Sequence, residues 1–203
     1  MNSAEWDHRY AGVELVWSAG PNRFVEEAAA DLPPGRALDL AAGEGRNALW
    51  LAERGWTVTA VDFSPVGLAR ARSLAEQRLG EHADRIELVE ADLWEYTPPV
   101  QGADLVVVAY LQVGERLRRR ALRAAADAVA PGGLLVVVAH DSDNLAHGVG
   151  GPQDPAVLYT AQDAASDIEG SGLQIVQSER KTREVSTDEG PRTAIDAFLL
   201  ARR

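Results

Sequence analysis

The chain has 203 residues, and its 31 acidic and 20 basic side chains give a formal net charge of -11. It contains no cysteine, which excludes disulfides, thiolate nucleophiles and cysteine-rich zinc sites. No apolar run approaches the ~20 residues that cross a bilayer, and we see no signal-peptide pattern. We therefore expect a cytoplasmic globular protein without a membrane partner. The acid excess also disfavours nucleic acid as a partner, because it repels phosphate.

The first half of the chain alternates short apolar strands with helices. We predict strands at residues 37–41, 57–61 and 86–90. Asn22 is typical of a helix N-cap, and the helix that it opens is expected to reach about Asp31. A second helix follows a glycine-rich turn and ends at Arg54, while Ser64 and the proline after it mark the start of a third.

The second half continues this alternation and then breaks it. We predict strands at 104–110 and 134–139, with a helix at 115–130 between them and a further helix after Thr160. Continuously apolar strands are typical of a parallel sheet covered on both faces. The last two strands, 173–180 and 193–201, are joined too closely for a parallel pair. The predicted fold class is therefore α/β: a Rossmann-like, doubly wound, mostly parallel seven-stranded sheet with an antiparallel C-terminal strand pair.

The turn after the first strand indicates a nucleoside-containing cofactor. Gly43 and Gly45 would let the backbone approach a ligand at the carboxyl end of a parallel sheet, where ligands bind in such folds. Asp62 ends the second strand, where a carboxylate can accept hydrogen bonds from both ribose hydroxyls. A tight turn without a ligand is the alternative.

Asp39 favours one class of cofactor over another. This acid lies just ahead of the glycines, where it would repel a pyrophosphate but stabilise an ammonium or a sulfonium. S-adenosylmethionine carries both of these cations. The alternative is that Asp39 caps the turn that follows it.

Four motifs in order resemble the class I S-adenosylmethionine-dependent methyltransferases. They are residues 39–47, Asp62-Phe63-Ser64, Ala91-Asp92-Leu93 and Pro131-Gly132-Gly133. Within that class, Gly45-Arg46-Asn47 and the opening around Tyr10 are similar to the tellurite-resistance (TehB-like) and thiopurine methyltransferase-like branch, whose members act on small molecules.

The resemblance implies S-adenosylmethionine as cofactor and S-adenosylhomocysteine as product. It implies that Asp39 and the backbone near Ala41 hold the methionine ammonium and that Asp62 binds the ribose. Phe63 would pack against adenine and Asp92 would accept from the adenine amino group, although Phe63 could equally be core and Asp92 a turn cap. The full set of implied cofactor residues is Asp39, Ala41, Gly43, Gly45, Asn47, Asp62, Phe63, Ser64, Ala91, Asp92, Leu93 and Ala109, with Tyr10 and Trp17 as aromatics that would close over the pocket or anchor the N-terminus.

Candidate catalytic residues follow the fourth and fifth strands, where the methyl acceptor would lie. Tyr110 comes after the fourth strand, and His140 and Asp141 come after the fifth. His140 beside Asp141 could act as a base, since imidazole titrates near neutral pH; the alternative is a histidine that only hydrogen-bonds its loop. The loop at residues 144–155 could form a lid. The arginines in 116–123 are expected on a solvated face or an interface.

These observations favour a methyltransferase that acts on a small-molecule thiol, amine, phenol or metalloid. We expect one domain over residues 1–203, with a helical cap at 1–32 over the pocket and a cofactor-binding core at 36–203. It would be a monomer or homodimer, and we find no convincing metal-ligand cluster. The alternatives are a nicotinamide-dependent oxidoreductase and a cofactor-binding regulator without catalysis.

Overall fold

A single seven-stranded sheet forms the centre of the protein in a computed structural model that describes Asp7, residues 20–187 and residues 190–203. The strand order is β3-β2-β1-β4-β5-β7-β6. Strands β1 to β5 pair in parallel, whereas β7 runs antiparallel to both β5 and β6. The predicted fold class is therefore confirmed. The strands are β1 (Arg36–Leu40), β2 (Thr57–Asp62), β3 (Ile86–Glu90), β4 (Ala103–Ala109), β5 (Val129–His140), β6 (Gln174–Thr187) and β7 (Gly190–Arg202).

Six α-helices and two 3-10 segments connect these strands within the described residues. The helices are α1 (Arg23–Ala29), α2 (Arg46–Glu53), α3 (Pro65–Leu79), α4 (Glu115–Ala128), α5 (Asn144–His147) and α6 (Ala161–Asp167), and the 3-10 segments are Gly80–Arg85 and Pro155–Val157. The predicted caps are confirmed, since Asn22, Ser64 and Thr160 each accept a backbone N–H of the first turn. In the described part of the chain, we find no helix with the length and apolarity needed to cross a membrane.

The structure differs from the prediction on both sides of β5, which itself begins at Val129 and not at residue 134. Helix α4 ends at Ala128 and not at residue 130, because Val129 has extended dihedrals and pairs with Ala103 of β4. The loop at 144–155 contains the short helix α5, which begins after Asp143.

The C-terminal strands are longer than predicted and pass beyond the sheet. Strand β5 pairs with β7 as far as His140 opposite Asp196, whereas β6 and β7 continue to pair up to Thr187 opposite Gly190. We call this extension, residues 182–187 and 190–194, the hairpin arm. Because β5 ends at the carboxyl edge of the parallel strands, the hairpin arm overhangs that edge.

The core lies on both faces of the sheet because side chains alternate along each strand. On β4, Val106 and Val108 belong to the cluster that packs under α4 and α6, whereas Leu105 and Val107 belong to the cluster under α1 and α2. All four residues are inaccessible to solvent. Burial on both faces explains why these strands have an unbroken apolar sequence.

One arginine of α4 contradicts the expectation of a solvated face for 116–123. Arg118 is buried, and its Nε donates to the carboxylate of Asp167 on α6 at 2.6 Å. Its guanidinium lies over the Tyr159 ring at 4.9 Å. Arg119, which is exposed, makes a second contact to the same carboxylate at 3.1 Å. The sequence does not reveal this burial because α6 lies about 45 residues away along the chain.

Removal of Arg118 should destabilise the fold more than removal of its exposed neighbour. Arg118→Ala would leave the Asp167 carboxylate buried with only the Arg119 contact, so we expect a loss of about 3 kcal/mol in the free energy of unfolding. Arg119→Ala should cost about 0–1 kcal/mol, as is typical of exposed ion pairs. Urea denaturation of both variants tests this. The double variant Arg118→Met with Asp167→Leu should recover most of the loss, and equal losses in the two single variants would contradict the assignment.

Candidate functional site

The glycine-rich turn between β1 and α2 has the backbone of a ligand-binding loop. Ala41, Gly43 and Gly45 all have positive φ angles, at 59°, 57° and 76°. A Cβ on Gly45 would lie 3.1 Å from the Ala71 side chain, so glycine also allows α2 to begin close against α3. Ala41 adopts the same left-handed region despite its methyl group, at a cost of roughly 1–2 kcal/mol. The turn therefore keeps its strained shape without glycine at that position.

Asp39 is a buried carboxylate whose two oxygens lack a good hydrogen bond among the described residues. It is 1% exposed. Burial raises the pKa of Asp39 to about 7, although the nearby Arg46 guanidinium and Ala48 N–H act in the opposite direction. A buried carboxylate of this kind is stabilised by a cation that arrives from outside the protein.

Asp62 lies at the end of β2 and is held by backbone donors. Its two oxygens accept the N–H groups of Gly43 at 2.8 Å and Ser64 at 2.9 Å. Burial raises the pKa of Asp62, while these hydrogen bonds act to lower it. Ser64 caps α3 and donates its hydroxyl to Asp7 of the N-terminal segment. The carboxylate is thus fixed directly beside the glycine-rich turn.

Two of the predicted cofactor residues have structural contacts of their own. Asn47 is buried and accepts the backbone N–H of Asn22 at 2.9 Å, which ties α2 to the start of α1. Asp92 is exposed and accepts the N–H of Trp94 at 2.8 Å, so it caps a turn as the alternative interpretation held. Their roles toward a cofactor remain predictions.

The remaining predicted cofactor residues surround the ends of β2, β3 and β4. Phe63, Ala91, Leu93 and Ala109 are all half-buried. The N–H of Ala91 donates to the carbonyl of Asp62 at 3.0 Å, which brings the end of β3 to the end of β2. Tyr10 and Trp17 lie outside the described residues, so their predicted place over the pocket stays a prediction.

Tyr110 and His140 meet at the carboxyl ends of β4 and β5. Their ring centroids are 4.8 Å apart. Tyr110 has a positive φ of 60°, which turns the chain sharply at the end of β4. Its hydroxyl donates to Asp196 at 3.0 Å. Burial raises the pKa of Tyr110 to about 12, so it is a neutral donor at physiological pH.

The carboxylate beside His140 belongs to Asp196. The His140 Nδ1 and an Asp196 oxygen are 3.4 Å apart. Burial lowers the pKa of His140, while the Asp196 charge acts to raise it. The backbone N–H of His140 donates to the Gln112 side chain at 2.6 Å. The contact with Asp196 places the His140 ring against β7.

Asp141 serves the loop that follows β5. Its carboxylate accepts the N–H of Asp143 at 2.9 Å and lies 3.3 Å from the Arg180 guanidinium. The two neighbours in sequence thus have different partners: His140 ends β5 and lies against Asp196, whereas Asp141 belongs to the loop that follows and contacts Arg180. The sequence-based pairing of His140 with Asp141 does not appear among these contacts, and a catalytic role for Asp141 remains a prediction.

The sequence analysis missed three charged residues of this site. They are Asp196 on β7, Arg183 on β6 and Arg46 at the start of α2, and the two guanidiniums lie 5.8 and 5.5 Å from the Tyr110 ring. Asp196 is fully buried and accepts the Nε of Arg183 at 2.7 Å. An acid within the apolar run of β7 is the one signal that could have identified it.

Comparison with known proteins relates part of the chain to a described domain family. Residues 37–133 match the family described as Methyltransferase domain. Over 129 residues the chain is 36% identical to demethylmenaquinone methyltransferase of Thermus thermophilus, a match that covers 63% of this chain and 55% of that protein. The chain thus spans about half the length of that curated relative.

Solved structures share the fold over nearly the whole chain. A protein from work on the conversion of a disulfide bond into a thioacetal group during echinomycin biosynthesis superposes with a TM-score of 0.74, at 21% identity over 99% of this chain and 92% of its own. TehB from Haemophilus influenzae superposes with a TM-score of 0.71, at 18% identity over 99% of this chain and 66% of its own. The resemblance to class I methyltransferases is therefore confirmed at the level of the fold.

Loss of the Asp39 charge should stabilise the protein at neutral pH. The folded-state pKa of about 7 exceeds the ordinary value of 3.8, so the wild type loses stability as pH rises between these values. Asp39→Asn should therefore raise Tm at pH 7.5, by about 2–4 °C per kcal/mol gained, and should have little effect near pH 4. Thermal unfolding at both pH values measures this. A lower Tm at pH 7.5 would contradict the assignment.

Proposed function

Starting from a methyltransferase domain with the class I fold, we propose that the chain transfers the methyl group of S-adenosylmethionine to a small-molecule acceptor. The single observation that carries this proposal is the buried Asp39 carboxylate beside the glycine-rich turn, which lacks a settled hydrogen-bond partner among the described residues. The cofactor's ammonium would supply the missing positive charge. A pyrophosphate at the same place would meet uncompensated repulsion, which argues against a nicotinamide dinucleotide.

Different residues at the carboxyl edge of the parallel strands would bind different parts of this cofactor. Asp39 and the backbone of the turn at Ala41 and Gly43 would hold the methionine ammonium, and Asp62 would accept from the ribose hydroxyls. Phe63 and Leu93 offer half-buried apolar surface at the ends of β2 and β3 for the adenine ring. When bound, S-adenosylmethionine supplies an activated methyl group on a good leaving group.

The acceptor would lie beside Tyr110 and His140, next to the predicted position of the methyl group. Methyl transfer requires alignment of a nucleophile, exclusion of water and in some cases removal of a proton. Gly151 closes against the His140 ring, since a Cβ on Gly151 would lie 2.8 Å from it. The hairpin arm overhangs the same edge. These walls favour a small acceptor, such as a thiol, an amine, a phenol or a metalloid.

Two further features support a small-molecule acceptor over a nucleic acid. The segment after β4 reads Ala109-Tyr110-Leu111-Gln112 and lacks the Asn/Asp-Pro-Pro-aromatic signature of many nucleic-acid methyltransferases. The net charge of -11 would also repel a polyanion at long range.

Cofactor binding should depend on the buried acids Asp39 and Asp62. We expect isothermal titration calorimetry to detect S-adenosylhomocysteine binding, with affinity reduced at least about tenfold in Asp62→Ala, since a charge-assisted hydrogen bond contributes ~1.5–3 kcal/mol. Asp39→Asn should weaken binding through loss of the ammonium partner. Asp104→Asn is the control, because Asp104 lies at the start of β4 and holds Arg36 at the opposite edge of the sheet. NADH binding in place of S-adenosylhomocysteine would overturn the proposal.

The cofactor should also bind with release of protons. With a pKa of about 7, Asp39 is partly protonated in the free protein near neutral pH, and a bound ammonium favours its ionised form. Affinity for S-adenosylhomocysteine should therefore increase from pH 6 to pH 7.5, where the ligand's own amino group is still protonated. Titrations in buffers of different ionisation enthalpy count the protons. Asp39→Asn should abolish this release.

A transfer assay can identify the acceptor class. The protein is incubated with S-adenosylmethionine labelled in the methyl group and with a panel of small thiols, amines, phenols and metalloid oxyanions, with total RNA as a separate arm. Label should appear in the small-molecule fraction. Label in the RNA alone would overturn the small-molecule acceptor while leaving the cofactor assignment intact. Cofactor binding without any transfer would favour a regulator.

A further inference from the structure

Two buried polar atoms of the site face each other, and no other group satisfies them. The Nδ1 of His140 and the Oδ1 of Asp196 are both enclosed, and neither has a hydrogen bond of good geometry within the described residues. They lie 3.4 Å apart. Buried polar atoms are nearly always paired in proteins. A small rotation of the imidazole would complete a hydrogen bond between them, with the proton on Nδ1.

The Asp196 carboxylate is held rigidly from three directions. Its other oxygen, Oδ2, accepts the Tyr110 hydroxyl at 3.0 Å and the Arg183 Nε at 2.7 Å. The ladder between β5 and β7 places Asp196 directly opposite His140. Arg183 thereby supplies a positive charge that compensates the charge of this fully buried carboxylate.

We propose that Asp196 is a positioning residue that fixes His140 in the tautomer protonated at Nδ1, so that Nε2 is the basic atom presented to the methyl acceptor. This inference rests on the proposed methyltransferase function. Which ring nitrogen carries the proton is set by the hydrogen bond that the other makes. Gly151 lies close against the ring, since a Cβ at that position would lie 2.8 Å from it, and this close packing limits large rotations of the imidazole.

The proposed step moves a methyl group from sulfur to the acceptor atom X and a proton from X to His140. The acceptor X–H attacks the methyl carbon, and an X–C bond forms while the C–S bond breaks. The electron pair of the C–S bond goes to sulfur, which becomes the neutral thioether of S-adenosylhomocysteine. The proton of X–H goes to Nε2 of His140, which becomes an imidazolium stabilised by the Asp196 carboxylate. The proton then leaves to solvent.

The charged groups around His140 suit it to this role. Asp196 of β7 acts to raise its pKa and Arg183 of β6 acts to lower it, while burial also lowers it, so the ring is neutral at physiological pH. Tyr110, stacked on the ring from the end of β4, has its hydroxyl proton directed at Asp196 and serves as a donor. Asp141, the next residue along the chain, contacts Arg180. At the ends of β4 and β5, His140 is therefore a group that can accept a proton at neutral pH.

The tautomer of His140 can be measured directly by nuclear magnetic resonance on protein labelled with ¹⁵N-histidine. The two ring nitrogens of a neutral imidazole differ strongly in chemical shift according to which is protonated, and His140→Gln identifies the His140 signals. We expect the wild type to show a protonated Nδ1 and an unprotonated Nε2 at pH 7.5. A wild-type spectrum with the proton on Nε2 overturns the proposal whatever the variants do.

A matched pair of variants separates positioning from stability. Asp196→Asn keeps the shape but places an amide donor near Nδ1, so it should move the proton to Nε2. Asp167→Asn is the control. Asp167 is also buried and also paired with an arginine Nε, but it lies on α6, where that helix packs against α4. It should lower Tm and leave the His140 tautomer and the rate unchanged. An unchanged tautomer in folded Asp196→Asn overturns the proposal.

Kinetics on an acceptor from the transfer assay give a second readout. Asp196→Asn should reduce kcat at least tenfold with little change in the KM for S-adenosylmethionine, and the rise of kcat with pH should move to lower pH because Asp196 acts to raise the pKa of His140. Asp141→Asn compares the neighbouring acid. A larger loss of kcat in Asp141→Asn than in Asp196→Asn would overturn the assignment. Since the tautomer measurement needs neither cofactor nor acceptor, failure of the methyltransferase proposal remains distinguishable from failure of this one.

Discussion

The burial of carboxylates at one edge of the sheet is the constraint on which the site depends. Asp39 and Asp62 lie at the ends of β1 and β2, Asp196 lies within β7 opposite the end of β5, and each is less than 5% exposed. A charge removed from water has to be neutralised, hydrogen-bonded or protonated. The protein uses a different solution for each: backbone N–H groups for Asp62, an arginine and a tyrosine for Asp196, and a raised pKa for Asp39.

Under the proposed function, these three solutions divide the edge into a cofactor side and an acceptor side. Asp39 and Asp62 belong to β1 and β2 and adjoin the glycine-rich turn, whose backbone holds Asp62 in place. Asp196 belongs to β7 and organises the ends of β4 and β5 through Tyr110 and His140. Arg46 at the start of α2 lies beside the Tyr110 ring and acts on the Asp39 charge, so it adjoins both sides. The electrostatics of the two sides are thereby coupled.

Local signals account for what could be predicted from the sequence. The strands, the helix caps and the glycine-rich turn arise from short patterns of side chains. Asp39 just before that turn and Asp62 at the end of β2 were found from the same local patterns. The partners of buried charges depend on pairing between distant segments. His140 and Asp196 are 56 positions apart and meet because β7 inserts beside β5; the choice of Asp141 as the partner followed from adjacency alone. Arg118 was misplaced for the same reason, since Asp167 reaches it from another helix.

The hairpin arm has a consequence for how such a protein can change. In the hairpin arm, residues 190–194 of β7 pair with β6 and with no other described strand. The arm therefore extends the wall of the proposed acceptor side and does not pair with β1, β2 or β3. Insertions or deletions in the arm would alter the shape of the proposed acceptor side and leave the cofactor side intact. The arm is thus a module whose length can diverge independently, and the C-terminal hairpin is where a new acceptor preference could be introduced into this scaffold with least disturbance.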